Sequence, residues 1–187
     1  MLADYLNQSA DLLRETARTL DDDRMARAIA LTVTALGANR PLLVCGNGGS
    51  AADAMHITGE LVGRFLRDRR ALKAICLAAD SAVLTAWSND FGYDTVFARQ
   101  VQAYGEPGGV LLAISTSGNS ANVIKALEAA RAGGMASIGL TGQGGGKRAG
   151  LCDILLDAPS RSTPMIQQVH GCLYHYFCEK VEAALAH

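Results

Sequence analysis

Apolar residues in the first part of the chain recur at the spacing of two amphipathic helices. The first helical face consists of Leu2, Leu6, Leu13, Ala17 and Leu20. After an acidic break at Asp21 to Asp23, the second face consists of Met25, Ile29, Val33 and Leu36. The pattern therefore predicts that the chain opens with two helices within residues 1–38.

From residue 39 onward the pattern changes to short apolar runs separated by longer segments with helical spacing. The runs are LLVC at Leu42, LKAICL at Leu72, VLLAIS at Val110, ASIGLT at Ala136 and ILL at Ile154. The helical segments include Ala51 to Phe65, Asp94 to Ala103 and Asn119 to Ala132. Apolar runs without alternation are typical of strands buried on both faces, and strands that alternate with helices are typical of a parallel sheet. We therefore predict an α/β fold with a doubly wound parallel sheet in residues 39–187.

The last segment, TPMIQQVHGCLYHYFCEKVEAALA, also has helical spacing. Thr163 is suited to cap this helix and Pro164 to occupy its first turn. Before it, GQGGGKRAG at residues 142–150 is predicted to be a short flexible loop. A chain of 187 residues with 49% hydrophobic content is sufficient for one substantial core, so we expect a single domain over residues 1–187.

Composition narrows the classes of partner. The formal net charge of −1 leaves no basic excess for nucleic-acid binding, although backbone amides can still bind a small anionic metabolite. Charges are mixed into the apolar residues of the N-terminal segment, which argues against a signal peptide or a membrane span. Five cysteines without a CxxC pair favour a reducing compartment. We expect a cytoplasmic protein that binds neither nucleic acid nor membrane.

Two polar loops follow predicted strands, at the sheet edge where parallel α/β proteins bind ligands. GNGGS at Gly46 to Ser50 follows the first strand, and STSGNS at Ser115 to Ser120 follows the third. We call the second the serine loop. Its hydroxyl groups, the close approach that Gly118 permits and the following helix N-terminus favour a phosphate site.

Plainer interpretations of both loops stay open. In the serine loop, the alternative is that Ser117, Asn119 and Ser120 only cap the following helix. In the first loop, Gly46 to Gly49 can be a bare turn. GNGGS does not match GxGxxG with an acidic residue about twenty positions later, so a dinucleotide cofactor is disfavoured.

Helical spacing brings a second group of polar residues towards one pocket. His56 and Glu60, four residues apart, project from the same side of a helix. Gln167 and His175 are eight residues apart, about 80° around the last helix, whereas His170 lies about 140° from His175 and should point elsewhere. Two further pocket candidates on that helix are Gln168 and Tyr174.

These groups suit either metal binding or proton transfer. Imidazole, carboxylate and amide oxygen can together bind a divalent ion such as zinc, and the same groups can transfer protons. The alternative is that the histidines are ordinary surface or core residues and that Glu60 lies on a solvated face. HxxxE without the second histidine of HExxH is not a metalloprotease signature.

Four motifs together resemble one known family. They are CGNGGSAADAMHITGEL, SND at Ser88 to Asp90, ISTSGNS and IQQVHGCLYH. In order and spacing they resemble the bacterial sedoheptulose 7-phosphate isomerases (phosphoheptose isomerases) of the sugar isomerase (SIS) fold. The resemblance extends from about Leu2 to the last helix.

The resemblance implies a five-stranded parallel sheet flanked by helices, and a homotetramer whose active sites are shared between neighbouring subunits. The N-terminal helices would then be buried in subunit contacts. By motif matching, it implies substrate contacts at Asn47, Gly48, Gly49, Ser50, Glu60, Arg64, Asn89, Asp90, Ser115, Thr116, Ser117, Ser120 and Gln167. It also implies one zinc ion (Zn2+) per subunit with the ligands His56, Glu60, Gln167 and His175.

The implied reaction converts the ketose sedoheptulose 7-phosphate into the aldose D-glycero-D-manno-heptose 7-phosphate, the entry to the heptose of lipopolysaccharide core or of related nucleotide-heptose products. Proton transfer through an enediolate needs a base and an acid, for which we hypothesise Glu60 and His175. Two departures from the family pattern are Gln168, where the family usually has Glu, and the absence of a proline pair in RDRRALKA.

Three other functions fit parts of the same pattern. A replication-initiation factor that binds the initiator DnaA shares the fold and much of the serine loop, but that family lacks the equivalents of Glu60 and His175. A sugar-phosphate-sensing module would need the serine loop and no metal. An isomerase for a different sugar is also compatible, because spacing does not fix the pocket walls that select substrate length.

Overall fold

A five-stranded, all-parallel sheet forms the centre of the computed structural model, which describes residues 1–186. The strand order is β2-β1-β3-β4-β5. The strands are β1 (Leu42–Cys45), β2 (Ala74–Cys76), β3 (Val110–Ser115), β4 (Ala136–Thr141) and β5 (Ile154–Asp157). Each neighbouring pair is parallel, which confirms the predicted doubly wound α/β fold.

The described part of the chain contains seven α-helices. They are α1 (Leu2–Thr19), α2 (Asp22–Gly37), α3 (Gly49–Val62), α4 (Ser81–Phe91), α5 (Val96–Tyr104), α6 (Ala121–Ala132) and α7 (Thr163–Leu185). One sheet face packs against α2, α3 and α7, and the other against α5 and α6. Within residues 1–186, none of these helices is long and apolar enough to cross a membrane.

Successive strand residues belong to opposite core layers. In β1, Leu42 and Val44 pack towards α2 and α3, whereas Leu43 and Cys45 pack towards α5 and α6. All four are buried, which explains the apolar run without alternation. The prediction of burial on both faces is wrong for β2 and β5, which contain half-buried residues because they are the edge strands.

Several helix starts differ from the sequence prediction, and those of α3, α5 and α6, at Gly49, Val96 and Ala121, differ by two residues. The named helical segments did not include α4, which begins where Asp80 accepts hydrogen bonds from the backbone amides of Ala82 and Val83 at 2.9 and 3.0 Å. None of its residues is fully buried, and its apolar side chains Leu84 and Trp87 are half-buried against the core. At α7, Ser162 occupies the N-cap position and Thr163 is the first helical residue, so the predicted cap is displaced by one.

The end of α3 at Val62, rather than at the predicted Phe65, has an identifiable cause. The buried carboxylate of Glu182 on α7 accepts hydrogen bonds from the backbone amides of Phe65, Leu66 and Arg67 at 2.8, 2.7 and 3.0 Å. These amides are therefore directed away from further helical bonds. Arg64 consequently lies in a loop beyond the helix.

A buried ion pair completes this arrangement. Arg69 lies 3.3 Å from Glu182, and the two side chains are 0% and 1% exposed. Arg69 also donates a hydrogen bond to the backbone oxygen of Glu60 at 2.8 Å. Burial by itself raises the pKa of Glu182, but the three amides and Arg69 outweigh it and keep that pKa below its usual range. The loop after α3 is thereby attached to α7.

Candidate active site

The sheet edge at the carboxyl ends of β1 and β3 carries both predicted polar loops. The strand order reverses between these neighbours, since β1 leads into α3 on one face and β3 leads into α6 on the other. Parallel α/β proteins bind ligands in the crevice at such a switch point. The GNGGS loop and the serine loop therefore lie where a ligand site is expected.

The GNGGS loop is constrained by close contacts. Gly48 has a positive φ of 56°, and a Cβ atom at Gly46 would lie 2.6 Å from the backbone oxygen of Ser50. A Cβ atom at Gly49 would lie 2.2 Å from the amide nitrogen of Gln167. The absence of a side chain at Gly49 thus lets Gln167 of α7 lie directly against the start of α3.

Asn47 connects this loop to the helix behind the serine loop. Its side chain and that of Asn122 on α6 exchange two hydrogen bonds, each 2.9 Å long. The hydroxyl of Tyr93 also donates to the Asn47 amide oxygen at 2.9 Å. The two ligand loops are therefore tied together through side-chain amides.

The serine loop presents its hydroxyl groups at the start of α6. Ser115 is 6% exposed, and its hydroxyl oxygen lies 3.1 Å from that of Ser120. Ser120 occupies the N-cap position, yet among the described residues no side chain caps this helix. Ser117 accepts a local hydrogen bond from the amide of Asn119 at 3.2 Å. Capping alone therefore does not account for this cluster of hydroxyls, and the uncapped helix start suits an anion.

The glycine-rich loop at residues 142–150 packs directly against the serine loop. Gly118 has φ 65°, and a Cβ atom there would lie 1.9 Å from the backbone oxygen of Gly145. Lys147 donates its amide to the side chain of Asn119 at 3.0 Å. The loop contains a 3₁₀ turn at Gly146–Arg148, so it is more ordered than predicted.

Arg148 anchors this supporting loop. Its side chain is fully buried and donates hydrogen bonds to the backbone oxygens of Ala113 at 2.9 Å and Ser115 at 3.3 Å. A third hydrogen bond goes to the backbone oxygen of Leu140. Arg148 thus joins the carboxyl ends of β3 and β4 beneath the candidate phosphate site.

A compact cluster of His56, Glu60 and His175 lies between α3 and α7. The Nε2 atom of His56 lies 3.0 Å from the Oε1 atom of Glu60 and 3.4 Å from the Nε2 atom of His175. Each residue offers one potential ligand atom, and all three atoms lie within 4.8 Å of one another. Phe65 stacks on His175, with ring centroids 5.9 Å apart. The loop attached by Glu182 thereby contacts the cluster.

The donor set fits a divalent metal ion. Two imidazoles and one carboxylate are a known ligand set for catalytic zinc, and ligands about 2.1 Å from a tetrahedral ion lie about 3.4 Å apart. The distance between the two histidine nitrogens matches that edge. The cluster is therefore a possible metal-binding group with room for a further ligand.

Gln167 lies elsewhere along the same helix. It precedes His175 by eight residues, which corresponds to about 12 Å along a helix axis, and it contacts Gly49 at the start of α3. The prediction from sequence considered only the angle between the two side chains around the helix, and not their separation along its axis. The structure therefore brings together three of the four proposed ligands, and a ligand role for Gln167 stays a prediction.

The other proposed site residues are more exposed. Arg64 is exposed in the loop after α3, and Asn89 and Asp90 are exposed at the end of α4. The side-chain amide of Asn89 donates to the Asp90 carboxylate at 3.2 Å. Tyr93, a few residues further on, is the contact that links this segment to the GNGGS loop. Their roles in substrate binding stay predictions.

Two α7 residues outside the cluster make structural contacts. His170 is fully buried, its Nε2 atom lies 3.1 Å from the backbone oxygen of Thr141, and burial lowers its pKa to about 4. It points away from His175, as predicted. Gln168 donates a hydrogen bond to the Tyr5 hydroxyl at 2.9 Å, so the departure from the family pattern connects α7 to α1.

The fold and site define a class of protein: a parallel α/β protein with a loop suited to anion binding and a nearby His–Glu–His cluster. The SIS domain family model matches residues 4–142. A phosphoheptose isomerase from Rhodospirillum rubrum is 52% identical over 161 residues, which cover 86% of each chain. The solved phosphoheptose isomerase from Neisseria gonorrhoeae is 40% identical, with a TM-score of 0.91 and 97% of each chain covered.

A second solved phosphoheptose isomerase, from Francisella tularensis, is 36% identical with a TM-score of 0.93, and the match covers 97% of this chain and 96% of that one. The chain therefore belongs to the SIS domain family and, within it, to the phosphoheptose isomerases. The family resemblance inferred from the four sequence motifs is confirmed.

Proposed function

We propose that this chain is an isomerase that converts sedoheptulose 7-phosphate into D-glycero-D-manno-heptose 7-phosphate, the first step of nucleotide-heptose biosynthesis. The observation that carries the proposal is the convergence of Glu60 and His175 from separate helices, with their ligand atoms within 4.8 Å. A carboxylate and an imidazole at this separation can act on adjacent atoms of one substrate. The named relatives support the same reaction.

The phosphate group of the substrate is assigned to the serine loop. There, uncapped backbone amides and clustered hydroxyls can bind an anion without a lysine. The remaining contacts are assigned by motif matching. The full proposed set is Asn47, Gly48, Gly49, Ser50, Glu60, Arg64, Asn89, Asp90, Ser115, Thr116, Ser117, Ser120 and Gln167.

In the proposed mechanism, Glu60 removes the proton beside the substrate carbonyl. His175 donates a proton to the carbonyl oxygen, which gives an enediol. The protonated Glu60 then delivers its proton to the former carbonyl carbon, and His175 takes the proton of the neighbouring hydroxyl group. The aldose forms and both side chains return to their starting states. Stacking on Phe65 orients the His175 ring. A bound divalent ion would supply electrophilic polarisation of the carbonyl.

We assign one zinc ion per subunit to the cluster. His56, Glu60 and His175 have the donor chemistry and spacing for it. Gln167 is kept as the fourth proposed ligand. Within one subunit it lies at the start of α3, away from the His–Glu–His cluster, so we propose that it reaches the cluster of a neighbouring subunit.

Metal removal tests the function directly. The purified protein is expected to convert sedoheptulose 7-phosphate to the aldose, to lose most activity after chelation and to regain it on addition of zinc. The measurement is product formation by chromatography, with metal content determined in parallel. Sugar-phosphate binding without turnover by the zinc-loaded protein would contradict the proposal and favour a sensing module.

We also propose a homotetramer that uses the N-terminal helices. An apolar groove of about 810 Å³ lies between α1, α2 and α7, and nearby Leu2 and Leu6 on α1 are 73% and 57% exposed. A second copy of the chain can bury such a surface. Light scattering is expected to give four times the 19.6 kDa chain mass. A monomeric mass would contradict the assembly.

Two further assignments complete the proposal. Residues 1–187 are assigned to one SIS domain, with residues 1–38 as its N-terminal helices. The five cysteines are all free thiols, which supports a reducing, cytoplasmic location.

A further inference from the structure

Tyr174 lies on the inner side of the His–Glu–His cluster. Its side chain is 6% exposed, and its hydroxyl oxygen lies 3.1 Å from the Nδ1 atom of His56. The two rings meet edge to face, with centroids 5.3 Å apart. The opposite nitrogen of His56, Nε2, faces Glu60 and His175. His56 therefore has one nitrogen in contact with a buried phenol and the other in the cluster.

The separate contacts of the two His56 nitrogens determine which of them can bind a metal. A histidine nitrogen that binds a metal must present a lone pair, so the proton of the neutral ring must be on the other nitrogen. A hydrogen-bond acceptor at that second nitrogen fixes both the tautomer and the ring orientation. A hydroxyl group is suited to this position because it accepts from an Nδ1–H group and donates to a bare Nδ1 atom. It can therefore stay bonded to His56 before and after a metal binds.

The two edges of the His56 ring lie in different surroundings. The side chain of His56 is 45% exposed, so water can reach part of the ring. The Nδ1 edge, in contrast, contacts a tyrosine fixed in the core beside Phe177 and Cys178. A ring flip of His56 would break the bond to Tyr174 and remove Nε2 from the cluster.

We propose that Tyr174 is a positioning residue for the metal cluster: its hydroxyl binds Nδ1 of His56 and directs Nε2 towards the ion shared with Glu60 and His175. The inference rests on the proposed metal site and deepens it by naming a residue outside the ligand set. Sequence spacing alone indicates only that Tyr174 is a candidate pocket residue.

The test is Tyr174→Phe, which removes the hydroxyl and retains the ring that packs against His56. Zinc affinity, measured by competition with a chromophoric chelator, is expected to fall about 10-fold to 100-fold. Tyr104→Phe is the matched control, because Tyr104 is exposed at the end of α5 and is expected to leave zinc affinity unchanged. Thermal unfolding of the metal-free proteins checks that the core is intact.

A second measurement does not depend on the variant. In the zinc-loaded parent, nuclear magnetic resonance is expected to detect a slowly exchanging Nδ1–H proton on His56. Equal zinc affinity in Tyr174→Phe and the parent, or rapid exchange of that proton in the parent, overturns the positioning role of Tyr174 and leaves the proposed metal site intact. Absence of a stoichiometric zinc site in the parent overturns the proposed cluster and the inference with it.

Discussion

Glu60→Gln is expected to lower kcat for the isomerisation by about 10²-fold to 10⁴-fold, the usual contribution of a positioned acid or base. The amide keeps the size of the carboxylate but cannot accept the substrate proton. The measurement is kcat and KM of zinc-loaded protein with sedoheptulose 7-phosphate. Glu128→Gln, on the exposed side of α6, is the control for the same chemical change and should retain the parent's rate.

Zinc content separates the two roles proposed for Glu60. A carboxylate bound to zinc is a weaker base, so the residue needs a change in coordination to serve both roles. A variant that retains zinc and loses kcat supports the base. A variant that loses zinc and activity together supports the ligand role, and activity near that of the parent removes Glu60 from the chemistry.

Glu182→Ala is expected to lower the free energy of unfolding by about 3–5 kcal/mol, because it leaves the buried Arg69 without its partner. It also removes the acceptor of three backbone amides. Urea unfolding with linear extrapolation measures the change. Glu179→Ala, on the same helix but 43% exposed, is expected to change the free energy by no more than about 0.5 kcal/mol.

The effect of Glu182 should depend on pH. Its pKa in the folded protein lies below the ordinary value of 4.5, so its contribution to stability is fully present above that pH. The contribution is lost as the pH falls through the lower, folded-state pKa. The stability difference between the parent and Glu182→Ala should therefore narrow on acidification below about pH 4.5. A difference that widens there would contradict the assigned direction.

The sheet was predictable because its strands are signalled locally. LLVC and VLLAIS are apolar without alternation, and both strands are buried on two faces. Each is followed at once by a glycine- or serine-rich loop, which parallel topology brings to the same sheet edge. The helix α4 is absent from the predicted segments, and its packing is only partial, since Leu84 and Trp87 are half-buried against the core.

The site was less predictable, because several of its contacts join residues distant in sequence. The His56–Glu60 pair follows from helical spacing, but the contacts of Asn47 with Tyr93 and Asn122 do not. Arg148 in a glycine-rich segment suggests an exposed loop, and only the packed structure identifies it as a buried anchor. The position of Gln167 depended on axial rise, which an angular pattern does not contain.

The Glu182 contacts also connect the last turn of α7 to the candidate active site. Glu182 lies three positions before Leu185, where α7 ends, yet its carboxylate determines the path of the segment that carries Arg64 and Phe65. Phe65 in turn stacks on His175. A truncation or fusion that unwinds the final helical turn would therefore disturb an imidazole assigned to proton donation, although no residue of that turn is assigned a contact with the sugar.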